Sequence, residues 1–254
     1  MSVLVGKLKS SLDQRGDFGE VFTPTWTTLD SGGLAQRPVY LERDGRVALG
    51  DLFELSGSPD GSIRLVGDMG RADRVAAGLS EGTVIIEGDV GAEVGVGMIG
   101  GVLEVKGNAG PRAGAAPLGY KRGMSGGELI VHGHAGVEAG AAMRRGILAI
   151  GGSAGDRAGL GMIAGTIILF GSAGKDPGLW SKRGSVVALK TIEPPPTYAY
   201  ACTYQPVHLR VMLGRLRTRF ELPVQRKHLS GSYRLYSGDM AELGRGEILA
   251  WTAP

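Results

Sequence analysis

The sequence predicts an all-β fold, a parallel β-helix solenoid of about seven coils with a cap at each end, on three observations. Glycine opens seven successive copies of one short unit, at Gly61, Gly82, Gly101, Gly127, Gly146, Gly165 and Gly184, and four of the six intervals are 19 residues. Two residues after these glycines stand Ile63, Val84, Leu103, Leu129, Leu148, Ile167 and Val186, and four after them Leu65, Ile86, Val105, Val131, Ile150, Leu169 and Ala188. Eleven after, Glu93, Arg112, Glu138, Arg157 and Asp176 alternate in sign from one copy to the next.

Apolar residues two apart lie on one face of a short strand, so each copy predicts one buried strand edge. Glycine at offsets six and nine in the first six copies, from Gly67 and Gly70 to Gly171 and Gly174, marks corners. At offset thirteen stand Gly95, Gly114, Gly140, Gly159 and Gly178, with Arg74 as the exception. A 19-residue unit is too short for a strand, a helix and two turns, and it lacks the leucine and asparagine consensus of a leucine-rich repeat. Stacked in parallel, the offset-eleven residues would form a charge ladder that sets register.

Residues 1–45 fit no such frame and are expected to cap the first coil. The coils span 46–192, with an insertion at 117–123 (PLGYKRG) that makes the third copy 26 residues long. Pro194, Pro195 and Pro196 end the pattern. The second cap, 193–254, is expected to hold a short basic helix from His208 to Phe220 and a strand-like tail from Tyr233 to Trp251.

The chain has 254 residues, 43% hydrophobic and 21% charged, enough for one elongated domain. Its 45 glycines are periodic, which separates them from low-complexity sequence. One cysteine excludes an internal disulfide framework and a cysteine-based zinc site. No apolar run approaches the roughly 20 residues of a membrane span, and MSVLVGKLKSS lacks a signal-peptide core, so the expected compartment is the cytoplasm. The net charge is only +3, but residues 207–228 carry +5, with Arg210, Arg215 and Arg217 among their cations, and leave −2 on the rest. A nucleic-acid interface there would want more aromatics for stacking.

Several motifs invite a chemistry and fail on context. Gly95 to Gly100 spells GxGxxG, but at a coil corner and outside a strand–turn–helix unit, so a dinucleotide site is rejected. His132 and His134 have a metal-ligand spacing without a second cluster of ligands, and read as turn histidines. Cys202 reads as a packing residue. No nucleophile elbow or isolated carboxylate pair is present, so no self-sufficient catalytic or metal site is expected. The repeat frame does gather one basic corner. Arg144, Arg145, Lys182 and Arg183 occupy the last two offsets of coils two apart, roughly 10 Å from each other. Tyr120, Lys121 and Arg122 project from the insertion toward the same corner. It reads either as a solvated edge or as a dock for an anionic partner, which would make the chain a polyanion-binding module.

The run GDLFELSG, the G-x5-G-x2-G-x3-G repeats, the loop ending KRGMSGG (Lys121 to Gly127) and the tail YSGDMAELGRGEIL (Tyr236 to Leu249) resemble the C subunit of formylmethanofuran dehydrogenase, a family with a version in the formyltransferase/hydrolase complex of methylotrophic bacteria. The repeat alone is similar to the C-terminal domain of the glutamate synthase large subunit, a reading that would lead one to expect fusion to amidotransferase and flavin domains. The resemblance covers about residues 45–250 and implies a right-handed β-helix that is a non-catalytic scaffold in a hetero-oligomer of one-carbon metabolism and formaldehyde oxidation. Its implied partners are amidohydrolase-like, molybdopterin-enzyme-like and formyltransferase subunits. The implied reaction transfers formyl from a tetrahydropterin carrier to methylofuran, which bears a polyglutamate tail, and hydrolyses it to formate. In the dehydrogenase the carrier would be methanofuran, and any molybdenum, tungsten or iron–sulfur sites would lie on other subunits. Twenty arginines against eight lysines favour the bacterial version over a thermophilic methanogen. The resemblance also suggests that the basic corner (Lys121, Arg122, Arg144, Arg145, Lys182, Arg183) meets the polyglutamate tail or an acidic sister surface, with Tyr120, Arg210, Arg215 and Arg217 as further interface residues.

Overall fold

The structure, a computed structural model, describes residues 3–57 and 60–252. Residues 1, 2, 58, 59, 253 and 254, which fall within the expected caps and first coil, lie outside the described residues. The N-terminal part holds β1 (Leu4–Leu8), β2 (Gly16–Asp17), α1 (Ser31–Ala35), β3 (Pro38–Leu41), β4 (Gly45–Ala48), α2 (Leu49–Leu52) and β5 (Phe53–Ser56). The repeats hold β6 (Ser62–Val66), β7 (Ala72–Asp73), β8 (Thr83–Glu87), β9 (Val102–Val105), β10 (Ser125–Val131), β11 (Arg145–Ile150), β12 (Thr166–Leu169) and β13 (Gly184–Ala188). The rest is β14 (Ala199–Tyr204), α3 (Val207–Phe220), α4 (Arg226–Ser230), β15 (Ser232–Gly238) and β16 (Gly246–Thr252).

The apolar columns become a parallel ladder in the register that the glycine alignment predicts. Ile63 pairs with Val84, Val84 with Leu103, Leu103 with Leu129, Leu129 with Leu148, Leu148 with Ile167 and Ile167 with Val186. Every residue of both columns is 2% exposed or less. β16 continues the ladder beyond β13, with Ile248 beside Val186 and Ala250 beside Ala188.

The expectation of an all-β, right-handed parallel β-helix is overturned. The strands form one 12-stranded mixed sheet in the order β14-β15-β16-β13-β12-β11-β10-β9-β8-β6-β1-β5, and β4-β3-β2-β7 form a separate 4-stranded sheet. Both ends are antiparallel: β5 pairs with β1 on one side, and β15 and β14 follow β16 on the other. Helices complete the fold. Backbone conformation explains why a closed helix of strands does not form. After each of the strands β6, β8, β9, β10, β11 and β12 the chain meets residues at positive φ, incompatible with extended backbone, such as Glu93, Arg112, Glu138 and Arg157. The return segments are therefore turns, joined across repeats at single bridged residues: Met69, Val90, Ala109, Ala135, Ala154 and Ala173.

The other face of the sheet is covered over its later repeats by α3, which spans the predicted basic helix and begins one residue earlier. Leu209, Leu213, Leu216 and Phe220, spaced for one face of a helix, bury against Ile130, Ala149, Ile168, Val187 and Leu249. Glu128 on β10 fastens the helix, ion-paired to Arg215 at 2.6 Å and to Arg219 at 3.0 Å.

The charge column forms the ladder its alternating signs predict. Arg112 Nε lies 3.0 Å from Glu93 and its Nη1 2.9 Å from Glu138, which in turn meets Arg157 at 2.9 Å. The first repeat has two extra residues before this column, so Arg74 aligns with Glu93 and Ala76 takes the offset-thirteen glycine position, at φ 56°. Arg74 extends the ladder to Asp17 at 2.9 Å.

Candidate interaction edge

A buried row of Leu79, Met98, Met124, Met143 and Met162 runs along the turn that leads into each strand. The next two residues of each repeat face outward. Those positions hold Ser80 and Glu81, Ile99 and Gly100, Ser125 and Gly126, then Arg144 and Arg145, Ile163 and Ala164, Lys182 and Arg183. Backbone hydrogen bonds fix the cations on this edge. Arg144 N–H donates to Met124 O at 2.7 Å, and Lys182 N–H to Met162 O at 2.7 Å. Arg145 pairs with Ser125, and Arg183 lies two strands further on, about 10 Å away by strand spacing. The edge must also be thin at Gly100, where a Cβ would collide with the carbonyl of Ser80.

The insertion joins the same edge. Gly123 N–H donates to Ala142 O at 2.8 Å, which places Arg122 and Lys121 beside the turn that enters Arg144. Tyr120 and Leu118 are 74% and 76% exposed. Lys121, Arg122, Arg145, Lys182 and Arg183 are exposed, Arg144 is half-buried, and no salt bridge among the described residues neutralises any of them. Six positive charges without carboxylate partners on one edge create a field suited to an acidic partner.

Trp180 belongs to this edge and went unread in the sequence. In the same row stand Gly78, Gly97, Ala142 and Gly161, all at positive φ, and Trp180 itself has φ 60° and is 54% exposed. A bulky side chain there costs about 1–2 kcal/mol relative to glycine. Its backbone N–H donates to Asp239 Oδ2 at 2.8 Å, and the buried Asp239 also accepts from Ala241 N–H at 2.8 Å. A tryptophan standing in a glycine row was the available signal.

The other expected interface residues do not gather here. Arg210, Arg215 and Arg217 sit on α3, where Arg210 and Arg217 are exposed and Arg215 is engaged by Glu128. Cys202 does not pack; it lies exposed on β14, an edge strand whose six residues are all exposed, and this corrects the expectation.

The two histidines are held by separate partners. His132 Nε2 lies 2.7 Å from Glu104, which Lys106 also contacts at 2.6 Å. Burial works against the Glu104 carboxylate, but these two hydrogen bonds outweigh it and hold the carboxyl below its ordinary range. His134 belongs to a polar stack in which each side chain accepts from the next repeat's backbone. Asp89 accepts from Asn108 N–H at 2.7 Å, Asn108 from His134 N–H at 2.8 Å, and His134 Nδ1 from Ser153 N–H at 3.0 Å. No group of three His, Cys, Asp or Glu residues that could hold a metal occurs among the described residues. No helix among them is long and apolar enough to cross a membrane. Gly95 and Gly97 lie in turns at φ 63° and 65°, with no helix following them.

No protein-family model matches the chain. Over 85 residues it is 35% identical to the Fhc C subunit of the formyltransferase/hydrolase complex of Methylorubrum extorquens, a match that spans 34% of this chain and 32% of that relative. It superposes with a TM-score of 0.81 and 30% identity on a chain in the crystal structure of the formyltransferase/hydrolase complex FhcABCD of Methylorubrum extorquens with methylofuran, covering 98% of this chain and 100% of that one. That end-to-end likeness shows the family: the chain belongs to the C subunits of formyltransferase/hydrolase complexes.

Proposed function

We propose that this chain is a non-catalytic structural subunit of a cytoplasmic formyltransferase/hydrolase complex. The complex would transfer formyl from a tetrahydropterin carrier to methylofuran and hydrolyse it to formate. The observation that carries this reading is the full-length likeness to a chain of the FhcABCD complex. The repeats give the chain a long parallel ladder. Such a ladder suits holding an amidohydrolase-like, a molybdopterin-enzyme-like and a formyltransferase subunit in fixed positions. Residues 1–45 and 193–254 would serve as end covers of the 46–192 repeats. The edge bearing Lys121, Arg122, Arg144, Arg145, Lys182 and Arg183 would meet either an acidic sister surface or the polyglutamate tail of the carrier.

Affinity purification of the tagged chain from its host, with mass spectrometry of what accompanies it, tests the reading. Stoichiometric recovery of hydrolase-like and formyltransferase-like chains is the expected result. Recovery with tungsten or iron–sulfur chains, or of the chain alone, would overturn it.

A further inference from the structure

A second concentration of positive charge lies away from the edge, where the C-terminal strands meet α4. Two adjoining depressions, of about 490 Å³ and about 250 Å³, share Leu189, Lys190 and Lys227. The larger adds Arg234 and Trp251, the smaller His228, and no carboxylate among the described residues lines either one. Lys190, Lys227 and Arg234 are exposed and take part in no salt bridge among the described residues. Three unneutralised cations around one concavity repel one another, and a concave wall focuses their field on whatever enters.

The surroundings are built rather than incidental. Trp251 Nε1 donates to Lys227 O at 3.2 Å, and Lys227 Nζ lies 4.7 Å from the indole centroid, so one aromatic fixes both the backbone and the ammonium of that residue. The His228 ring stands edge-on to Trp251, with centroids 5.5 Å apart, and Tyr233 OH donates to His228 O at 2.8 Å. Gln225 N–H donates to His228 Nδ1 at 3.2 Å, which leaves the ring proton on Nε2. Burial, and then the nearby Lys227 charge, lower the His228 pKa, so the ring is a neutral donor at neutral pH.

We propose that this cleft binds a small ligand carrying two or more anionic groups, carboxylates or phosphates, with Lys190, Lys227 and Arg234 as its charge partners and the His228 Nε2–H as a neutral donor. The volume suits a compact metabolite. Charge-assisted hydrogen bonds from several cations at once would supply both affinity and selectivity against monoanions. This inference stands independently of whether the chain assembles with partners.

The test is calorimetric titration of the full chain, at low salt, with citrate in one arm and inorganic pyrophosphate in the other. Binding of citrate alone would assign a polycarboxylate, and binding of pyrophosphate alone a phosphate ligand. In either case the Lys190→Gln, Arg234→Gln double variant should weaken binding by ~10-fold or more, the single Lys190→Gln by less, and Lys7→Gln on β1 not at all. No heat from either anion up to ~5 mM, or equal affinity in the double variant and the unmodified chain, would overturn the proposal. Loss of partner recovery in the double variant without anion binding would make the cleft a protein contact instead, which also overturns it.

Discussion

Replacing Leu213 with alanine should loosen α3 from the sheet. Leu213 is fully buried among Ile130, Ile168, Val187 and the helix's own Leu209 and Leu216. Removing three side-chain carbons forfeits about 2.4 kcal/mol of transfer free energy at ~0.8 per carbon. Partial collapse of the cavity adds to this, for a loss of about 3 kcal/mol, within the range of buried leucine truncations. On the opposite side of the helix, Val211 is 70% exposed, and its replacement by alanine should change stability by no more than ~0.5 kcal/mol. Urea denaturation of the isolated chain gives the total loss, and amide hydrogen exchange shows whether it is confined to α3 and the strands beneath it. The local readout matters because a repeat array need not unfold in one step. A loss below about 1 kcal/mol for Leu213→Ala, or equal effects of the two variants, would refute the packing described.

Glu138→Gln should cost about 1 kcal/mol at low salt and markedly less in ~1 M sodium chloride, because Arg112 and Arg157 both lose a carboxylate and the pairs are only partly buried. The same cost in both salts would contradict the ladder's electrostatic role. Acid should destabilise the fold in two stages. His228 has its folded pKa lowered by burial from 6.5, so the unfolded chain binds the extra proton and stability declines as pH falls below about 6.5. Glu104 is held below its ordinary value of 4.5 despite burial, so its contribution is present above that value and is lost as pH falls through the folded one. His228→Phe should remove the first decline and leave the second; an unchanged slope between pH ~7 and ~5 would refute the assignment. Charge reversal of Arg144 and Arg145 should either weaken co-purification of partner chains, if the edge meets protein, or raise the apparent Michaelis constant of the complex, if it meets the carrier's tail. Unchanged behaviour in both would show that the edge meets neither.

The inward face of the large sheet was legible because its residues recur at fixed offsets from a glycine. The ladder from Ile63 to Val186 and the ion pairs from Glu93 to Arg157 both follow from one alignment. The outward face was not, because its column changes character along the chain. At offset three it runs Arg64, Ile85 and Glu104, then Ile130, Ala149, Ile168 and Val187. Only the later repeats are apolar without interruption, and α3 lies over those. A search for uniform columns passes over such a gradient, although the spacing of Leu209, Leu213, Leu216 and Phe220 matches it. The added rung at β16 also had a signal, since Gly246, Ile248 and Ala250 repeat the glycine–aliphatic–aliphatic pattern after a break of sixty-two residues from Gly184. The closed solenoid failed on backbone conformation: positive-φ residues interrupt each return segment, and the glycine columns mark those turns without saying how much strand lies between them. The basic edge was visible in the repeat frame, whereas the cleft around Lys190 and Arg234 joins the segment after β13 to residues of β15, β16 and α4, most of which lie outside that frame.

If this chain holds a formyltransferase/hydrolase complex together, its loss must show in both the assembly and the reaction. Deleting it from its host, then weighing the remaining partner chains by native mass spectrometry and measuring formyl hydrolysis in the same extract, tests that most directly. The expected result is that the hydrolase-like and transferase-like chains no longer run as one assembly and that conversion of formyl carrier to formate falls. Intact assembly of the remaining chains, with unchanged conversion, would contradict the scaffold role.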